Sequence, residues 1–246
     1  MFSKTKAIRK GLTGLGLLWL MAATLVSCVT TPAPIVIYED RRDSIWLKFD
    51  PEAGTGHSHP YSMTSEQMAK ILRGVWVKHR EVIAGFGLLG EGEGAPAFSG
   101  SEIAILTPYL AEALRKASPK DMVTFYVTRG DPTLGQLVTS GGLFVQDNRM
   151  YFILANSHTS PSSVQYENTY EFEARDEPLI PIARHKFTVG FSPKEAWIPN
   201  AAVRGKEGYE RYLDESKLLV LDLPRLMTET QTPTTKFTPT SPKPGP

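Results

Sequence analysis

Cysteine is almost missing from this chain: among 246 residues there is one, Cys28. Beyond that position no disulfide, thiolate metal site or cysteine nucleophile is available, so the stability of the rest depends on packing. A charge of one sign is lacking as well, since 27 Lys and Arg face 26 Asp and Glu for a formal net charge of +1. Nucleic-acid binding draws on many basic contacts to phosphate, and this balance argues against such a partner. No apolar run reaches the ~20 residues of a comfortable membrane-spanning helix. Repeats at a fixed spacing and a GxSxG nucleophile elbow are absent from the sequence too.

What is present begins at the N-terminus. Lys4, Lys6, Arg9 and Lys10 precede an apolar run over residues 12–26 that holds Gly14 and Gly16 and ends in Leu25-Val26-Ser27-Cys28. A basic region, a short apolar region and small residues before a cut site make an export signal rather than a structural helix. The tetrapeptide Leu25-Val26-Ser27-Cys28 resembles the lipobox of bacterial lipoproteins. The resemblance covers the first 28 residues only, and it implies that Cys28 takes a diacylglyceryl group, that cleavage falls between Ser27 and Cys28, and that the new amino group receives a fatty acyl chain such as palmitate. Membrane lipid, reached through Cys28, is then the first expected partner. Val29 stands where inner-membrane-retained lipoproteins carry aspartate, so the resemblance favours the outer membrane, facing the periplasm. Loss of residues 1–27 removes four basic side chains and no acidic one, leaving a slightly acidic mature chain.

Residues 28–34, interrupted by Pro32 and Pro34, read as a tether, and residues 35–226 as a single domain. Ile45, Leu47 and Phe49 alternate with Trp46 and Lys48, the pattern of a half-buried strand. Thr64 with Gln67, and Ser99 with Glu102, fit capping boxes that open helices over residues 64–73 and 100–117. Gly74 suits the C-cap of the first. Pro108 either kinks the second helix or starts a shorter one capped by Thr107. Strand patterns follow at residues 75–77, 122–127, 137–145, 150–155, 166–172, 186–191 and 218–223, and Asp147-Asn148 marks a tight hairpin between two of them. The expected fold is α+β: an antiparallel sheet from the later two-thirds of the chain, covered by two main helices. Residues 227–246, rich in Thr, Pro, Ser and Lys, have too little apolar surface to fold and are expected to be disordered.

Several patterns bear on chemistry. Gly85-Phe86-Gly87-Leu88-Leu89-Gly90 matches GxGxxG but runs into Glu91 and Glu93 without a following helix, so a surface loop is expected and no cofactor. His57 and His59 flank Ser58 and could share a metal with Asp50, Glu52 or His79. Ser140, before Gly141 and Gly142, is a candidate nucleophile with His158 or His185 as base, although the two glycines equally suit a β-bulge. Tyr151, Phe152, Tyr166, Tyr170 and Phe172 could line a groove or fill a core. Two functions remain open: a non-catalytic envelope lipoprotein that binds a protein or polymer in assembly or transport, and an envelope hydrolase using Ser140 with a histidine or a His57/His59 metal site.

Overall fold

The computed structural model describes residues 31–82, 89–91, 94–133, 135–161, 175–182, 187–199 and 215–228. Its contacts divide the chain at Pro32, and the elements below all belong to the unit Ala33–Pro246. Cys28, His185, Tyr166, Tyr170 and Phe172, with the expected tail from residue 229, lie outside the described residues.

In chain order the elements are β1 (Ile35–Glu39), β2 (Ser44–Phe49), α1 (Ser65–Gly74), β3 (Val75–Val82), β4 (Leu89–Glu91), β5 (Ala95–Pro96) and α2 (Gly100–Lys116). They continue with β6 (Asp121–Asp131), β7 (Gly135–Gln146), β8 (Arg149–Thr159), β9 (Phe187–Phe191), β10 (Trp197–Ile198), β11 (Leu218–Asp222) and α3 (Leu223–Thr228). Seven strands form one antiparallel sheet in the order β1-β2-β6-β7-β8-β11-β10. A smaller sheet is built on β3, which pairs antiparallel with β4, β5 and β9. The α+β expectation holds, with two differences. β1 and β2 come from the start of the domain, not its later part, and the strand at residue 75 belongs to the second sheet.

Both expected capping boxes form. Thr64 Oγ1 accepts from Gln67 N at 3.1 Å while Thr64 N donates to Gln67 Oε1 at 2.9 Å, and Ser99 N donates to Glu102 Oε2 at 2.7 Å. Helix α2 runs through Pro108 without a break. A mid-helix proline costs ~3 kcal/mol, but Leu106, Leu110 and Leu114 on either side are fully buried. Burial of each such side chain contributes ~1.5–3 kcal/mol, enough to hold the helix together across the missing bond. Gly74 is needed for a different reason than capping: a Cβ there would lie 2.5 Å from the Phe191 ring and 2.6 Å from the Ser192 carbonyl. It lets α1 turn directly into β3 against β9.

The main core lies between one face of the large sheet, the two longer helices and the inner face of the small sheet. Phe98, Phe125 and Phe152 meet there with centroids 5.8–6.1 Å apart. The opposite face of the large sheet carries a second cluster of Met122, Phe144, Tyr151, Ile153, Leu218 and Val220, against which Leu179 and Ile198 pack. Strand β2 is covered on both sides over Ser44, Ile45, Trp46 and Leu47, Trp46 at 9% exposure included, where the alternation suggested a half-buried strand, and Phe49, on the expected inner side, is exposed. Tyr151 and Phe152 belong to these cores and line no groove. Asp147 and Asn148, at φ 51° and 60°, make the two-residue turn of the β7–β8 hairpin, as both positive dihedrals require. Leu89-Gly90-Glu91, read as loop, pairs with β3. Helix α3 extends to Thr228, beyond the expected domain end at residue 226.

Candidate functional site

Polar side chains gather at three places on the large sheet. The first is the loop between β2 and α1. Where β7 outruns β6, its end would present unpaired backbone groups, and this loop supplies the partners: Ser58 N donates to the Val145 carbonyl at 2.8 Å, and Val145 N donates to His59 Nε2 at 3.0 Å. His59 thus stands in for a strand residue. Accepting at Nε2 requires the proton on Nδ1, which is buried. Burial, reinforced by His57, lowers its pKa to about 4. His57, stacked on Phe144 at 4.2 Å, pairs through Nε2 with Asp50 Oδ2 at 2.8 Å, and its Nδ1 is buried. The expected histidine pair is therefore assembled, with Asp50 as its carboxylate, but the His59 lone pair that a metal would need is taken by the backbone. Among the described residues no group of three or more His, Cys, Asp or Glu converges as a metal centre demands.

The second place is the β7–β8 bulge. Between the pairs Ser140↔Asn156 and Val138↔Thr159, one residue of β7, Thr139, faces two of β8, Ser157 and His158. Gly141 belongs to this irregular stretch, where a Cβ would fall 2.0 Å from the Ile153 carbonyl. Ser140 is fully buried; its hydroxyl donates to the Pro178 carbonyl and accepts from Asn156 Nδ2, both at 2.8 Å. Asn156 also donates to the Ile180 carbonyl at 3.0 Å and accepts from Ile182 N at 2.8 Å. Together these two side chains pin residues 178–182 over the second face. A serine whose proton is held by a carbonyl is not placed for attack, and His158 is directed elsewhere.

That third centre had no direct sequence signal. His158 has φ 45°, a left-handed conformation uncommon for a residue with a Cβ, and the bulge turns its ring toward α2. There His158 Nε2 meets Glu102 Oε2 at 3.1 Å. Glu102 is completely buried, and Oε2 also accepts from Ser99 N and Ser99 Oγ, each at 2.7 Å. Burial alone would raise its pKa; the hydrogen bonds from His158 and Ser99 outweigh this and hold it down at about 2. The carboxylate in turn raises the pKa of His158 against burial and the nearby Arg129. The capping box announced Glu102; nothing in the sequence links it to a residue 56 positions on. Chemically the arrangement favours a charged imidazole, one-third exposed, fixed to an anionic helix start.

Two depressions adjoin these elements. One, of about 200 Å³, is lined by Lys48, Phe49, Asp50, Met122, Glu177 and Leu179 and lies between the large sheet and the pinned segment. The other, about 410 Å³ and open, is on the small sheet beside Trp76, Lys78, Gly94 and Arg73. No helix among the described residues is long and apolar enough to cross a membrane. Comparison of the chain with protein-family models, curated proteins and solved structures finds no match.

Proposed function

We propose that this chain is a lipid-anchored protein of the cell envelope that binds an envelope protein or polymer and does no chemistry on it. The observation that carries the reading is the order of features ending at Cys28: basic residues, a short apolar run, Leu25-Val26-Ser27, and then the single cysteine. In this reading Cys28 bears the acyl chains, two or more of which make anchoring stable, and Val29 sends the protein to the outer membrane. A binding role is supported by the use the domain makes of its polar side chains. His59 completes a backbone ladder, Ser140 and Asn156 tie down a loop, and Glu102 fastens a helix start to β8. The depressions beside Asp50 and Trp76 are the surfaces offered to a partner.

The test is metabolic labelling with radioactive palmitate followed by membrane fractionation. Label is expected in the wild type and absent from Cys28→Ala, which should remain unprocessed or leave the membrane. An unlabelled wild type, or a correctly cleaved Cys28→Ala still bound to membranes, overturns the anchor. Crosslinking in intact envelopes tests the binding half, which fails if no partner is captured reproducibly.

A further inference from the structure

Among the described residues four large apolar side chains are exposed: Ile35 at 55%, Val36 at 54%, Phe49 at 37% and Ile180 at 58%. Single exposed apolar residues are ordinary, but Ile35 and Phe49 lie on the same side of the sheet at one corner, with Val36 beside them on the opposite side. Ile35 pairs with Leu47 and Val36 with Trp46 across β1 and β2. Phe49, two residues past Leu47, shares its side of the sheet and is a diagonal neighbour of Ile35. Leu47 is covered by the main core, whereas Ile35 and Phe49 project beyond it. At the same corner Phe49 pairs with Asp121, next to the exposed Lys120. The Asp121 carboxylate is engaged by Ser118 N, while the Lys120 ammonium donates to the Gly54 carbonyl.

This corner is also where the anchored end of the chain enters the domain. Six residues separate Cys28 from Ile35, a reach of at most about 25 Å when fully extended. We infer that the corner formed by Ile35 and Phe49 rests in the headgroup region of the bilayer that holds the lipid of Cys28, so that the domain stands on the membrane in one orientation. The inference rests on the lipid-anchor reading. A bilayer suits the corner better than another strand does, because the register shift between Val36 and Tyr38 interrupts the outer rim of β1 that an added strand would need.

The lone cysteine makes the experiment direct, since a lipidated Cys28 has no free thiol and an introduced cysteine is then the only site for a label. Full-length lipidated Ile35→Cys and Ile180→Cys, positions of similar exposure, are spin-labelled and reconstituted into phosphatidylethanolamine–phosphatidylglycerol vesicles, with thermal melts to confirm folding. Interfacial burial of ~5–10 Å predicts that oxygen, which partitions into the bilayer, relaxes the label at position 35 about twofold or more over the water-soluble nickel reagent, relative to position 180. Equal accessibility at the two positions overturns the docking face and leaves the anchor standing. Dipolar broadening between labels at position 35 identifies a second copy as the occupant and overturns it as well. Absence of palmitate on the wild type removes the anchor and the docking face with it.

Discussion

Two histidine centres on the same sheet show how one side chain is held in opposite charge states. At the β7 end, His59 accepts a backbone N–H and is buried without a carboxylate bound to its ring, and its pKa falls to about 4. At the bulge, His158 meets the buried Glu102 and its pKa rises. Both rings serve to satisfy a group that would otherwise be stranded: a strand N–H in the first case, a buried carboxylate in the second. Burial lowers both values; at His59 no carboxylate outweighs it, whereas at His158 the hydrogen bond to Glu102 does. A neutral donor uses the lone pair that a proton would take, and an anion stabilises the imidazolium.

The comparison breaks hardest at Glu102. Glu102→Ala removes the acceptor for Ser99 N, Ser99 Oγ and His158 Nε2 and should cost roughly 3–5 kcal/mol in denaturant unfolding, as loss of one partner of a buried pair does. A cost below about 1 kcal/mol would mean that Glu102 is not the organising group.

Acid titration separates the two rings next. The unfolded His59 protonates near pH 6.5 and the folded one only near 4, so its contribution is complete above pH 6.5 and is lost as the pH falls toward 4, by about 3 kcal/mol. His158 runs the other way: its raised pKa gives stability that is complete below pH 6.5 and fades as the pH rises through the folded value. Glu102 adds stability present above pH 4.5 and lost as the pH falls toward about 2. Unfolding curves from pH 4 to 8 should lose the acid limb in His59→Gln and the alkaline limb in His158→Asn. Persistence of the acid limb in His59→Gln would assign it to another group.

A smaller effect is expected at the pinned segment. Ser140→Ala leaves the Pro178 carbonyl and an Asn156 N–H short of a partner and should cost ~1–3 kcal/mol, with faster proteolysis near residues 178–182. Unchanged stability would indicate that the hydroxyl contributes nothing to holding that strap. The smallest effect belongs to the bulge backbone. His158→Asn keeps a residue that tolerates left-handed φ while giving up the imidazole, so its loss at neutral pH should stay near ~1 kcal/mol. His158→Val, which is both β-branched and left-handed, should lose clearly more; equal losses would show that the dihedral is not strained.

Local patterns were readable where the physics is local. The capping boxes at Thr64 and Ser99 form because a cap and its N3 residue lie within one turn, and Asp147-Asn148 forms its hairpin turn because both tolerate positive φ. Pro108 left two readings open because its cost is local, and the leucines held by distant strands decide for the longer helix that runs through it. At the candidate sites, Asp50 and His57 are seven residues apart and could be suspected as a pair. Glu102 with His158, and His59 with Val145, are joined only by packing.

The sequence by itself determined the α+β class, the two capped helices and the tight hairpin, all of which depend on patterns along the chain. Tertiary structure alone decided that β3 leaves the large sheet for a second one, that Ser140 faces a carbonyl, that the pKa values of the two histidines shift in opposite directions, and that Ile35 and Phe49 lie together at one corner. Those outcomes depend on register and burial between segments far apart in sequence, where closing the chain, rather than any local preference, sets which groups meet.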